Sequence, residues 1–287
     1  MNVMSYDQEI AEAVRLGDAA KVSSLVAKRE RSGMLDSAAL YYAVANGDVA
    51  CVKALLPVSD AMSDDCHALR RAVYMGNLEC VMALLPVSDP KAEDSYALRW
   101  AAHNGHEDCV RILLHASDAK AKSSVALRLA SENGHVECVK LLIPASEPRI
   151  KDSSALRAAA EGGHAECVRL LLPVSDPKAR TCYALLWAAK NGHVGCARLL
   201  IQASGPLCEM DGLLAEVIES GRTEVAALLI EAEPKLLEGI NLSKCLAAAI
   251  EKERGELAAY LSSIIDKKEL LGVGQDQAVR SLGSARL

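Results

Sequence analysis

Glycine returns along this chain at a fixed interval. Gly47, Gly76, Gly105, Gly134, Gly163, Gly192 and Gly221 stand 29 residues apart, and Gly17 precedes them by 30. A period of this length marks a repeat array, in which one supersecondary unit is copied and each copy buries its apolar face on its neighbours. The surroundings of the glycine recur with it: ALRWAAHNGHEDCVRILL at 97–114, ALRLASENGHVECVKLL at 126–142 and ALRAAAEGGHAECVRLL at 155–171.

Each unit reads as two short helices. A capping residue three positions before the framework aliphatic residue is expected to open the first: Asp7, Ser37, Ser95, Ser124, Ser153, Asp211 and Ser243. Their side chains accept hydrogen bonds from the unpaired first N–H groups of a helix. Cys66 and Cys182 hold the same slot and are poor caps, so those helices are expected to start more loosely. The glycine ends the first helix, because it enters the left-handed conformation without a Cβ clash. The second helix shows helical spacing, as in Cys109, Val110, Leu113 and Leu114, and is predicted to stop at Pro57, Pro86, Pro144 or Pro173. The fold class that follows is an all-α solenoid of about nine helix-turn-helix units, starting near Asp7, Ser37, Cys66, Ser95, Ser124, Ser153, Cys182, Asp211 and Ser243. Residues 1–265 form one repeat domain in this reading, and 266–287 a C-terminal tail without strong pattern, expected to be mobile.

Composition narrows the class. Apolar residues make up 51% of the chain with no Phe at all, so small side chains and tight helix packing build the core. A net charge of −6 argues against nucleic acid and anionic membranes, which call for a concentrated positive footprint. No apolar run reaches the ~18 residues that cross a bilayer. Met1 to Tyr6 lacks the basic and apolar regions of a secretory signal. Ten cysteines without such a signal, and without a C-x-x-C pair, point to free thiols in a reducing, cytoplasmic setting.

ALRWAAHNGHEDCVRILL resembles the ankyrin-repeat pattern T-P-L-H-x-A-A-x-x-G-H-x-x-x-V-x-x-L-L, and the resemblance covers about residues 7–265. Two features depart from it. Ser-x-Ala replaces Thr-Pro, and the period is 29 rather than about 33. The missing residues fall where ankyrin repeats project a hairpin finger, so the fingers are expected to be truncated; similar short-finger repeats occur in bacterial and protozoan proteins. The resemblance implies a protein-binding module whose first helices line a concave face.

Several constellations need weighing. His-x-x-Cys occurs at His106/Cys109, His135/Cys138, His164/Cys167 and His193/Cys196, where i and i+3 share a helix face and a metal is imaginable. The repeat pattern explains both residues without one, so no metal and no cofactor are expected. The ladder Cys51, Cys80, Cys109, Cys138, Cys167 and Cys196 is expected to be buried and reduced, with adjacent rungs too far apart to cross-link. A second ladder, Arg70, Arg99, Arg128 and Arg157, is expected to pair with the loop carboxylates Asp60, Asp89, Asp118 and Glu147, with recognition of an acidic partner as the other reading.

Aromatic placement points to the binding surface. Of nine Trp and Tyr residues, seven fall on first helices, away from the framework positions. The slot two after the leucine reads Tyr42, Arg71, Trp100, Leu129, Ala158, Trp187 and Glu216, a mixture that a buried slot would not accept. Spacing of i, i+4 and i+7 places Tyr96, Trp100 and His103 on one face, with Tyr183, Trp187 and Lys190 as their copy three repeats later. Together with Tyr74, these residues (Tyr42, Arg71, Tyr96, Trp100, His103, Tyr183, Trp187 and Lys190) are the candidate partner-binding set, in a groove along repeats two to seven. No G-x-x-x-x-G-K-[ST], G-x-S-x-G or H-E-x-x-H occurs, so no catalysis is expected. The expected function is binding of a partner protein by a monomer. An effector delivered into another cell, and a His/Cys ligand- or redox-sensing protein, are the alternatives.

Overall fold

The computed structural model describes residues 6–28, 35, 37–205, 212–237 and 240–270. Among them are eighteen α-helices and, in place of strands, a single bridge between Leu35 and Ser59. Two compact units divide between Glu147 and Pro148.

In the first unit the helices come in pairs: α1 (Tyr6–Arg15) with α2 (Ala19–Lys28), α3 (Ser37–Ala45) with α4 (Val49–Leu55), α5 (Ser63–Tyr74) with α6 (Leu78–Leu84), α7 (Ala92–Asn104) with α8 (Glu107–Leu113), and α9 (Ala121–Glu132) with α10 (Val136–Leu142). First helices pack side by side in the order α1, α3, α5, α7, α9, and second helices in the order α2, α4, α6, α8, α10. The second unit repeats the plan with α11 (Ile150–Glu161), α12 (Ala165–Leu171), α13 (Ala179–Asn191), α14 (Val194–Ser204), α15 (Leu213–Glu219), α16 (Thr223–Ala232), α17 (Leu242–Glu251) and α18 (Gly255–Leu270). The last helix continues past residue 265; the rest of the expected tail, 271–287, lies outside the described residues, as does Asp211.

Between the layers lies the core. Leu40, Leu69, Leu98, Leu127, Leu156 and Leu185 of the first helices are buried, as are Leu55, Leu84, Leu113, Leu142, Leu171 and Leu200 of the second. Alanines flanking the first set, such as Ala101 and Ala102, are fully buried and let the helices approach. The second helices end two residues before their proline. Leu84, Leu142 and Leu171 are followed by 3-10 turns at Leu85–Val87, Ile143–Ala145 and Leu172–Val174 that contain Pro86, Pro144 and Pro173. Proline restricts the residue before it, so the chain tightens ahead of the ring instead of stopping at it.

At Ser95, Ser124 and Ser153 the expected N-caps are overturned. Glu93, Asp94 and Ser95 form a left-handed turn, with φ from 51° to 58°, inside α7, and the right-handed helix starts after it. The same turn occurs at Asp64–Cys66, Lys122–Ser124 and Lys151–Ser153. A residue with positive φ lacks the extended geometry that a capping side chain requires, so the hydroxyl turns outward to the following loop. Ser95 Oγ accepts the N–H of Asp118 at 2.8 Å, Ser124 that of Glu147 at 2.9 Å, and Ser153 that of Asp176 at 2.8 Å. Cys66 makes the same bond through Sγ to the N–H of Asp89 at 3.1 Å, and its helix starts no more loosely than the others. These side chains tie the start of each unit to the loop that leaves it. Side-chain caps are found elsewhere: Asp48 and Asn77 accept the N–H groups of Cys51 and Cys80 at 3.0 Å and start α4 and α6. Asn241 rather than Ser243 caps α17.

Candidate functional site

The glycine-histidine element fixes how neighbouring pairs sit. Gly76 and Gly105 have φ of +68° and +75°. A Cβ on Gly105 would lie 2.5 Å from Nδ1 of His135, and one on Gly76 2.6 Å from that of His106. Each ring reaches back one repeat, and its Nε2 meets a backbone carbonyl: His106 with Tyr74 O at 3.1 Å, His135 with His103 O at 2.9 Å. In the second unit His193 does the same with Glu161 O at 2.9 Å, and Arg222 replaces histidine on Lys190 O at 3.2 Å. These imidazoles are interlocks between repeats. Among the described residues no group of three or more His, Cys, Asp or Glu side chains could hold a metal.

The cysteine ladder lies in the core. Cys51, Cys80, Cys109, Cys138, Cys167 and Cys196 are buried with free thiols. Burial pushes the Cys51 thiol up to about 12, and those of Cys109, Cys138, Cys167 and Cys196 up to about 11, with nearby acids as a further cause for Cys51, Cys109, Cys138 and Cys167. The thiolate is the reactive form, so these sulfurs are inert fillers at neutral pH.

The arginine ladder does not pair with the loop carboxylates. Asp60, Asp89 and Asp118 each accept the N–H two residues on, from Met62, Lys91 and Lys120, at 2.9 Å. Glu147 pairs with Lys120 at 3.1 Å. The arginines lie on the first-helix side instead. Arg70 stands 4.4 Å and Arg99 5.4 Å from the centre of the Tyr96 ring, and Arg157 5.6 Å from that of Tyr183. Arg128 pairs along its own helix with Glu132 at 2.5 Å.

Six of the nine candidate residues lie in the first unit, and a chain of ring contacts runs through them. Tyr42 is 60% exposed and meets Tyr41 edge-on at 5.9 Å. Arg71 lies between Tyr41 and Tyr74, at 5.7 and 5.8 Å. Tyr74, 52% exposed, meets Trp100 at 5.7 Å. Trp100 also contacts Tyr96 at 5.7 Å and His103 at 5.0 Å, and Asn133 reaches His103 Nδ1 at 3.1 Å. In the second unit Tyr183 meets Trp187 at 6.0 Å and Lys190 lies 5.6 Å from Trp187, while also pairing with Glu216 at 2.5 Å.

The slot two after the leucine is more varied than sequence alone suggests. Trp100, Leu129 and Trp187 are half-buried, and Ala158 is only 7% exposed. Sequence reasoning leaves Tyr41, His67, Arg70 and Arg99 outside the candidate set. His67 stacks on Tyr41 at 4.6 Å, and Tyr41 adjoins Arg71 of the next first helix. Arg70 and Arg99 carried a sequence signal as rungs of the arginine ladder, and Tyr41 adjoins the slot residue Tyr42, whereas nothing in the sequence marks His67.

A repeated helix pair of this kind, joined glycine to histidine and presenting one face of first helices, defines an ankyrin-type repeat protein. Profiles described as ankyrin repeats in three copies match residues 10–94, 88–152 and 127–211, and the chain belongs to the ankyrin-repeat family. No curated protein matches it in sequence. Among solved structures it is similar to the ankyrin repeat domain of Bcl-3, described as a unique member of the IkappaB protein family, with a TM-score of 0.53 and 23% identity over 67% of this chain and 97% of that one. The human ASB11 ankyrin repeat domain aligns with a TM-score of 0.49 and 25% identity over 62% of this chain and 96% of that one. No helix among the described residues is long and apolar enough to cross a membrane.

Proposed function

We propose that this chain is a non-catalytic interaction module that binds a partner protein through the first-helix face of its repeats. The observation that supports it most is the row of ring contacts from Tyr42 to His103. Exposed Tyr, half-buried Trp and unpaired Arg are the residue types in which binding energy concentrates. A preformed helical surface also loses little conformational entropy on binding. The proposed binding set is the one named from sequence, with Tyr41, Arg70 and Arg99 added, in a monomer whose residues 1–265 act as one repeat domain in the cytoplasm. The buried, high-pKa thiols weigh against a redox sensor, because sensing cysteines are exposed and low in pKa.

Site-specific photo-crosslinking tests the reading. A benzophenone side chain at Tyr42 or Tyr74 is expected to capture a discrete protein from the source cell's extract, and one at Glu137 of α10 is not. Capture at Glu137 alone would move the site to the second helices.

A further inference from the structure

Positive charge gathers on α5 and α7 of the first unit, past their first turns. The chain as a whole carries −6. Yet α3 has no charged residue, the stretch from Cys66 to Tyr74 has Arg70 and Arg71 with no carboxylate, and Tyr96 to Asn104 has Arg99 with none. Among the described residues Arg70 and Arg71 form no ion pair, and Arg99 bonds only the backbone carbonyl of Glu93, at 2.8 Å. The Nε atoms of all three are shielded from solvent without a hydrogen-bond partner. Two of these guanidiniums, Arg70 and Arg99, share one ring, Tyr96, at 4.4 and 5.4 Å. Like charges held close on half-buried stems repel, and an uncompensated donor removed from water is costly.

We propose that the first-helix face over α5 and α7 takes an acidic segment of the partner protein, its carboxylates meeting Arg70, Arg71 and Arg99 and an apolar side chain covering Trp100. This rests on the interaction-module reading above and names the chemistry of the partner. Planar guanidinium forks match carboxylates in bidentate geometry, and rings on either side keep them in place. A cationic ligand is disfavoured, because arginines already occupy faces of Tyr41, Tyr74 and Tyr96. A long polyanion such as nucleic acid is disfavoured too. Asp64, Asp65, Glu93 and Asp94 stand at the starts of the same helices and would repel a chain of phosphates running along them. Two adjacent first helices at ~8–10 Å spacing, each ~10 Å across, span roughly what six extended residues cover, so the segment is short.

Selection from a displayed library of random peptides about ten residues long, on the full chain, tests this. Enriched sequences are expected to carry two or more Asp or Glu beside an apolar residue. Binding of synthetic copies is expected to fall about tenfold or more on Arg71→Gln or Arg99→Gln, less on Arg99→Lys, and to weaken with added salt. Circular dichroism of each variant checks the fold. A labelled single-stranded ten-nucleotide DNA is the second probe, and it should bind at least tenfold more weakly than the peptides. Selection of neutral or basic peptides, selection of none, equal binding by the Gln variants, or tighter DNA binding would each overturn the acidic-segment assignment. The interaction-module reading fails separately, if the first-helix crosslinker captures nothing.

Discussion

The imidazole of His135 occupies the space that a side chain on Gly105 would need: a Cβ there would stand 2.5 Å from Nδ1. The glycine therefore does two things. It takes a φ of +75° to end α7, and it leaves a hollow in which the next repeat's histidine reaches His103 O at 2.9 Å.

Gly105→Ala is expected to destabilise the first unit by about 1–3 kcal/mol, through the left-handed backbone and the clash together. His135→Ala removes the clash partner, so the double variant should be less unstable than the sum of the singles. Urea denaturation of the four proteins measures the coupling. Strict additivity would show that ring and glycine do not meet.

The side chain of Ser95 holds the loop that follows its helix pair rather than starting its helix. Ser95→Ala would leave the N–H of Asp118 without its 2.8 Å acceptor in a part-buried place, at a cost of about 1–3 kcal/mol. Cys66→Ser supplies a better acceptor at the equivalent position and is expected to be neutral or stabilising. Thermal melts of both variants check the pair, and a destabilised Cys66→Ser would contradict the shared role.

The thiols of Cys109, Cys138, Cys167 and Cys196 stand at about 11 against an ordinary value of 9.0. An unfolded chain releases these protons first, so between those values the native state holds more of them. Their contribution to stability is full below pH 9 and lost as pH rises towards 11. Cys109→Val and Cys138→Val should be tolerated near neutral pH and should flatten that alkaline decline, whereas Cys109→Asp should unfold the first unit by burying a charge. Chemical denaturation at a series of pH values reads the slope. Rapid labelling of the native thiols would contradict their burial.

Trp100→Ala separates binding from folding. The ring touches Tyr74, Tyr96 and His103, so some loss of melting temperature is expected. Its loss should cost partner affinity at least ~30-fold, the equivalent of ~2 kcal/mol for a central anchor. Trp187→Ala probes the second unit in the same way. Glu137→Ala breaks only an exposed i,i+3 pair with Lys140 at 2.7 Å and should change stability by less than ~0.5 kcal/mol and leave affinity unaltered. Unchanged affinity in a destabilised Trp100→Ala would make the ring a packing element and place the anchor elsewhere.

The repetition of Gly, Leu and Ala-Ala at 29 residues determined the helix pairs, their number and their buried faces, because burial and left-handed backbone are demands that each residue meets locally. The cysteine ladder was legible for the same reason: a small apolar residue recurring at a framework position has one place to go. What Ser95, Arg70 and His103 touch was not legible, because each meets a residue more than twenty positions away in sequence. The sequence places Ser95 where a cap belongs; only the left-handed turn before it sends the hydroxyl to Asp118, in the following loop. Likewise the loop aspartates are plausible partners for the arginines until the packing of α5 on α7 puts Arg70 over Tyr96 and leaves those carboxylates to their own turns. Periodicity determines which residues face inward, but the partner of an outward side chain is set by the distance and rotation between helices, which tertiary packing alone decides.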